Sequence, residues 1–160
     1  MRAATLAIAA FSATAAAADH GTANIVNSCD ADVYITKSDN GGKSELQSHL
    51  SKGKSFSVEY EEGTHEFKIS PEEDSSETSA PQTGFVYNLV DDTIMYDVYS
   101  YFDFPYKSLI VEADTESAGQ DGQCEPIVWK DGKPAAGSQF TPCTSDSSIT
   151  LTLCGAKSDE

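Results

Sequence analysis

The segment FVYNLVDDTIMYDVY, residues 85–99, decides the fold class. Its two halves, residues 85–90 and 94–99, are rich in aromatic and branched apolar side chains, and Asp91-Asp92 between them is a turn signal. Short runs of this composition, bounded by turn residues, are typical of β-strands. The segment therefore predicts two strands separated by a turn.

Seven further segments have the same character, and several of them alternate polar with apolar residues, as half-buried strands do. They are residues 23–27, 32–36, 55–60, 66–69, 108–112, 126–130 and 148–153. Turn residues recur at intervals of about 8 to 12 residues, which is typical of β-sandwiches. No segment has the pattern of an ordinary helix, so no crossover helices are available to cover a parallel sheet. We expect an all-β protein, an antiparallel β-sandwich of about nine to ten short strands.

The first 18 residues predict a cleaved secretory signal. Met1-Arg2 is a basic start, an alanine-rich apolar run follows, and Ala16 and Ala18 are the small residues that signal peptidase requires. Residues 19–160 then form a single domain that is secreted and extracellular. In an oxidising compartment the four cysteines are expected to pair as two disulfides, and the spacing leaves three connectivities open.

The charge excludes two classes of partner. The chain has 26 acidic and ten basic residues, for a net charge of −16, and its only arginine is Arg2. Nucleic-acid phosphates and anionic lipids attract excess Lys and Arg, so neither is an expected partner. We also expect a monomer.

Three segments carry a resemblance to a known family. Residues 23–29, ANIVNSC, followed by Val33-Tyr34, are similar to the first hairpin of thaumatin-like (osmotin-type) proteins. Residues 149–154, ITLTLC, resemble the closing strand of their small fungal branch, the yeast-phase-specific (Bys-type) secreted proteins. Residues 96–106, YDVYSYFDFPY, are similar to the middle thaumatin segment. The resemblance implies a thaumatin-like sandwich with the disulfides Cys29–Cys154 and Cys124–Cys143.

The resemblance also implies candidate catalytic residues. Some thaumatin-like proteins bind or cleave β-1,3-glucan in an acidic cleft, and glycoside hydrolysis needs two carboxylates that flank the scissile bond. The matching positions here are Asp97 and Asp103. The cleft glutamate falls near Val86, which cannot ionise, and the cleft arginine has no counterpart after residue 18. We therefore expect a protein that is not an enzyme.

Aromatic residues between positions 96 and 106 are the other candidate binding groups. Tyr99, Tyr101, Phe104 and Tyr106 either pack across strands or form an exposed platform for a sugar ring or a partner. The acidic segment 70–82 is expected to be a flexible surface loop. Together with residues 102–107, this loop is expected to make contacts with a partner.

No metal or cofactor is expected. An N-terminal His20 could form a copper site with His49 or His65, but no ligand spacing supports it. The function expected is surface recognition of an extracellular protein or a cell-wall glycan by a non-enzymatic secreted fungal protein of the effector or virulence-associated type. The alternative is a β-1,3-glucan-binding protein or weak glucanase of the cell wall.

Overall fold

The computed structural model describes residues 20–38, 44–76, 78–115, 119, 123–130, 132–133 and 140–155. The predicted signal at residues 1–18 and both ends of the predicted domain lie outside the described residues. Within the described ranges, no helix is both long and apolar enough to cross a membrane.

Eleven strands and one short 3₁₀ helix make up the regular structure of the described residues. The strands are β1 (Thr22–Asn27), β2 (Val33–Ser38), β3 (Ser44–Leu50), β4 (Ser55–Glu59), β5 (Gly63–Ser70), β6 (Gln82–Val90), β7 (Thr93–Tyr101), β8 (Leu109–Ala113), β9 (Ile127–Trp129), β10 (Thr141–Thr144) and β11 (Ile149–Leu153). The 3₁₀ helix, Glu73–Ser76, lies between β5 and β6.

The strands form two sheets, which confirms the predicted all-β sandwich. One sheet has the order β4-β1-β11-β8-β9 and the other has the order β10-β7-β6-β5-β2-β3. Every strand pair is antiparallel except β1 with β11, the first and last strands, which run parallel. This pair places the first and last strands side by side, and both finish at the same end of the sandwich.

Sequence analysis missed two strands, β3 and β10, and both are sheet edges. In β3, Glu45, Leu46 and Gln47 are all exposed, so the strand lacks the buried positions that mark β5 or β6. In β10, Pro142 removes a backbone donor, which only an edge strand tolerates.

The core lies between the two sheets. Residues 85–99 supply five of its side chains, all at most 1% exposed. They are Phe85, Tyr87 and Leu89 from β6 and Ile94 and Tyr96 from β7. Burial of a side chain of this size contributes about 1.5–3 kcal/mol. The Tyr96 hydroxyl also donates to a backbone carbonyl, so the core phenol is satisfied.

Both disulfides have the predicted pairing. Cys29 lies two residues beyond β1, and Cys154 directly follows β11, so this bond joins the two parallel strands where they end. Cys124 precedes β9 in one sheet, and Cys143 lies in β10 of the other. The second bond therefore connects the sheets.

The segment 70–82, which was expected to be a flexible surface loop, packs against the sandwich through buried polar side chains. Ser70, Ser75 and Gln82 are buried. The side-chain amide of Gln82 donates to the backbone carbonyl of Ser75, which holds the 3₁₀ helix against the start of β6. Serine and glutamine carry no apolar signal, so the sequence pattern did not indicate this packing.

Candidate functional site

The six-stranded sheet has an outer face, directed away from the other sheet. Its register aligns Glu66 of β5, Val86 of β6 and Asp97 of β7 in one row. Directly paired residues project to the same side of a sheet, so this row carries a carboxylate on each side of an apolar residue. Val86 occupies the position at which the resemblance implied a cleft glutamate. Glu66, which the sequence pattern did not single out, lies directly beside it on the neighbouring strand.

The adjacent row of the outer face is built around a glycine. Lys68 of β5, Gly84 of β6 and Tyr99 of β7 are directly paired. A Cβ atom at Gly84 would lie 2.8 Å from two ring atoms of Tyr99 and 3.2 Å from Oε1 of Glu66. The absence of a side chain at Gly84 therefore allows the Tyr99 ring to lie across the β6 backbone.

Two tyrosine hydroxyls and a carboxylate form a network there. The hydroxyl of Tyr101 donates to Oε1 of Glu66 at 3.0 Å, and the phenol oxygens of Tyr99 and Tyr101 are 3.2 Å apart. The Lys68 ammonium lies 4.9 Å from the centroid of the Tyr101 ring, at cation–π distance. We call Glu66, Lys68, Gly84, Tyr99 and Tyr101 the tyrosine patch.

The electrostatics of the tyrosine patch keep both phenols protonated. Burial, followed by the hydrogen bonds with Tyr101 and Glu66, raises the pKa of Tyr99. Burial is also the main cause that raises the pKa of Tyr101, and Glu66 adds to it. The tyrosine patch therefore presents half-buried aromatic rings, hydroxyl groups and a carboxylate on an open sheet face, a combination suited to binding a polyhydroxylated ligand.

The two aspartates that the resemblance implied are not brought together. Asp97 lies inside β7, four residues before its last residue, Tyr101, which corresponds to about 13 Å of strand. Asp103 lies beyond the strand in an exposed loop, where its carboxylate accepts a hydrogen bond from the backbone N–H of Phe104 at 2.8 Å.

The four candidate aromatic residues divide into two pairs. Tyr99 and Tyr101 belong to the tyrosine patch, with ring centroids 5.0 Å apart. Phe104 packs edge-on against both Tyr106 and the buried Trp129 of β9. The second pair therefore covers the end of the five-stranded sheet, and Tyr106 is only 7% exposed. The candidates do not form one platform.

The exposed aromatic side chain of this segment is Phe102. It is 69% exposed and has a φ of 65°, in the left-handed region that bulky residues rarely occupy. The backbone N–H of Asp103 donates to the carbonyl of Tyr101 at 2.7 Å, and this tight turn holds the conformation. Phe102 is thus an apolar side chain that the loop presents to solvent at a cost in backbone strain.

The three histidines do not form a metal site in the described residues. His20 precedes β1, while His49 lies in β3 and His65 in β5. His49 lies 2.8 Å from Asp32, and His65 stacks on Tyr87 with centroids 5.1 Å apart. Where the chain is described, no three His, Cys, Asp or Glu side chains are close enough to hold a metal ion.

Comparison with known proteins gives the family. The family model described as Bys1, Blastomyces yeast-phase-specific protein, matches residues 10–155. The chain belongs to the Bys1 family. No curated protein sequence matches it significantly.

Two solved structures share the fold of this Bys1 protein. One is the protein elicitor MoHrip2 from Magnaporthe oryzae, with a TM-score of 0.63, 18% identity, and coverage of 84% of this chain and 99% of that one. The other is the thaumatin-like xylanase inhibitor TLXI, with a TM-score of 0.59, 10% identity, and coverage of 82% of this chain and 98% of that one. The thaumatin-like fold implied by the resemblance is confirmed.

Proposed function

We propose that this protein is a secreted, non-enzymatic recognition protein of the elicitor or effector type, which contacts an extracellular partner through residues 102–107. The observation that carries the proposal is Phe102, an exposed aromatic side chain held in a strained backbone conformation. Strain of this kind persists where the surrounding structure imposes it, and it is concentrated at functional sites. Large aromatic side chains also dominate the binding energy of protein interfaces.

The charge and the neighbours support the same proposal. The net charge of −16 gives the surface a long-range attraction for a basic partner, which speeds association. The two structural neighbours are named as a protein elicitor and an enzyme inhibitor, and neither name describes catalysis. Two disulfides in a small sandwich suit an extracellular protein.

The proposed function is tested by the oxidative burst of leaf discs exposed to the purified protein. Phe102→Ser is expected to abolish or strongly reduce the burst. Val90→Ser is the matched control, because Val90 is another exposed apolar residue, 53% exposed, at the end of β6. Equal activity of wild type, Phe102→Ser and Val90→Ser would contradict a role for the loop.

A second candidate function is β-1,3-glucan binding, or weak cleavage, on the outer face. The specific observation is the row that holds Glu66 and Asp97, whose backbones are two strand spacings apart, about 9.6 Å. Glycoside hydrolysis needs two carboxylates that flank the scissile bond, and Glu66 and Asp97 share one sheet face while Asp103 lies beyond the strand, so Glu66 with Asp97 is the better candidate pair.

A pull-down on insoluble β-1,3-glucan, combined with an assay for released reducing sugar, tests the second candidate. Glucan binding that is lost in Tyr99→Ala, and sugar release that is lost in Glu66→Gln and Asp97→Ala, would support it. Asp103→Ala serves as the control, since Asp103 lies outside the row. Absence of binding at both low and high salt would reject it.

A further inference from the structure

A cavity of about 480 Å³ opens at the end of the sandwich where β1 and β11 finish. The disulfide Cys29–Cys154 forms part of its wall, and Pro71, Pro105 and Tyr106 contribute further surface. These residues come from three separate connections and from the segment after β11, which the fold brings together. The cavity is distinct from the tyrosine patch, because the two share no residue.

The wall of this end cavity is rigid and largely apolar. Proline rings fix the backbone at Pro71 and Pro105, and the disulfide restrains Cys29 and Cys154. Tyr106 is almost fully buried, and its ring packs against Phe104 with centroids 5.7 Å apart. A cavity of this volume falls within the range of about 300–1,000 Å³ that small-molecule sites occupy.

The rim of the end cavity carries one carboxylate and two ammonium groups. The Nζ of Lys52 lies 2.6 Å from Oδ1 of Asp30, so these two charges compensate each other. Lys107 forms no ion pair within the described part of the chain, and its charge acts on Asp30 without belonging to the Lys52–Asp30 pair.

Both rim lysines act on the Asp30 carboxylate, so the three rim charges sum to +1. The hydrogen bond and the charge of Lys52 lower the pKa of Asp30, and the charge of Lys107 lowers it further. The rim is therefore locally positive, in a chain whose net charge is −16. An anionic group would be repelled by most of the surface and attracted here.

We propose that the end cavity binds a small aromatic carboxylate, with the ring against Pro71, Pro105 and Tyr106 and the carboxylate at Lys107. The proline and tyrosine surfaces favour a flat ring, and the Lys107 ammonium, which is not held in the Lys52–Asp30 pair, favours the negative charge. The cavity shares Pro105, Tyr106 and Lys107 with the proposed recognition segment 102–107, but Phe102 is not part of its lining, so a small ligand can occupy the cavity without covering Phe102.

The test uses benzoate as the anionic probe and benzyl alcohol as its neutral counterpart, both titrated into the full-length protein at low salt. Amide NMR shifts are expected to saturate with benzoate at residues 28–31 and 106–107. Benzyl alcohol is expected to bind about fivefold more weakly, because it lacks the ion pair.

Two variants separate the site from non-specific binding. Lys107→Gln is expected to weaken benzoate binding about fivefold and to leave benzyl alcohol unchanged. Lys37→Gln is the matched control, since Lys37 lies toward the far end of β2 from the cavity, and it should bind benzoate as the wild type does. Ala31→Trp places a large side chain in the cavity and should abolish the binding of both probes.

Three results would overturn the proposal. They are shifts that do not saturate with benzoate, equal affinity for benzoate and benzyl alcohol, and equal effects of Lys107→Gln and Lys37→Gln. Lys107 is exposed and Lys37 is partly exposed, so the folding of both lysine variants, checked by the same amide spectrum, is expected to be preserved.

Discussion

The tyrosine patch and the end cavity differ in how their polar groups are satisfied. In the patch, Glu66 accepts a hydrogen bond from Tyr101, and the phenol of Tyr99 lies within hydrogen-bond distance of that of Tyr101. At the end cavity, the buried hydroxyl of Tyr106 has no partner among the described residues, and the neighbouring Phe102 is exposed in a strained conformation.

This difference separates a structural role from a recognition role. Polar groups that satisfy one another stabilise the sheet and gain little from a ligand, because binding would have to replace existing hydrogen bonds. Groups without partners, and side chains held in strain, gain from an added contact. The end of the sandwich, with its strained groups and those unpartnered among the described residues, is therefore a better candidate recognition site than the tyrosine patch.

Loss of a disulfide is expected to have the largest effect. Cys29→Ala with Cys154→Ala opens a loop of 125 residues at the end cavity and should lower the free energy of unfolding by about 5 kcal/mol on the chain-entropy model. Cys124→Ala with Cys143→Ala opens a loop of 19 residues and should cost about 3 kcal/mol. Denaturant unfolding measures both, and the reverse order would contradict the model.

Alkaline pH is expected to destabilise the fold through its buried phenols. Burial raises the pKa of Tyr96 to about 12 from its ordinary value of 10.0. A pKa raised in the folded state gives stability that is present below pH 10 and is lost as the pH rises towards 12, about 3 kcal/mol for this shift. Tyrosinate absorbance at 295 nm and circular dichroism should change together, whereas titration at pH 10 without unfolding would contradict the prediction.

Gly84→Ala is expected to disrupt the tyrosine patch. The new methyl group would lie 2.8 Å from the Tyr99 ring, and the resulting displacement should cost about 2 kcal/mol of stability. Thermal unfolding measures this cost. The control is Gly84→Ala in a Tyr99→Ala background, because the contact between the new methyl group and the Tyr99 ring is then absent. A cost that is equal in the two backgrounds would show that Tyr99 is not the cause.

Removal of a single tyrosine hydroxyl should affect the free energy of unfolding differently in the tyrosine patch and at the end cavity. Tyr101→Phe removes the hydrogen bond to Glu66 and should destabilise the protein by about 1 kcal/mol. Tyr106→Phe removes a buried hydroxyl without a partner among the described residues and should leave stability unchanged or raise it slightly. Equal losses in chemical denaturation would remove the distinction between the regions.

The sequence predicted most of the fold, because strands with one buried face alternate visibly. Residues 85–99 are the clearest case. It missed β3 and β10, where edge position and Pro142 weaken that pattern, and it gave no sign that β1 and β11 pair in parallel across the length of the chain.

The candidate site was less accessible from the sequence. Asp97, Tyr99 and Tyr101 were named, but Glu66 was not, since only the register of β5 against β6 brings it beside them. Its alternation with Phe67 did place it on the outer face, which was the one available signal. The end cavity depends on four connections that are distant in the chain, and no local pattern could have indicated it.

The central claim, recognition by the loop without catalysis on the outer face, is tested most directly with the double variant Glu66→Gln with Asp97→Asn. This variant removes both carboxylates of the row while it leaves Phe102 and the end cavity unchanged. The account predicts a leaf-disc oxidative burst equal to that of the wild type. A burst that falls to background in the folded double variant would contradict it.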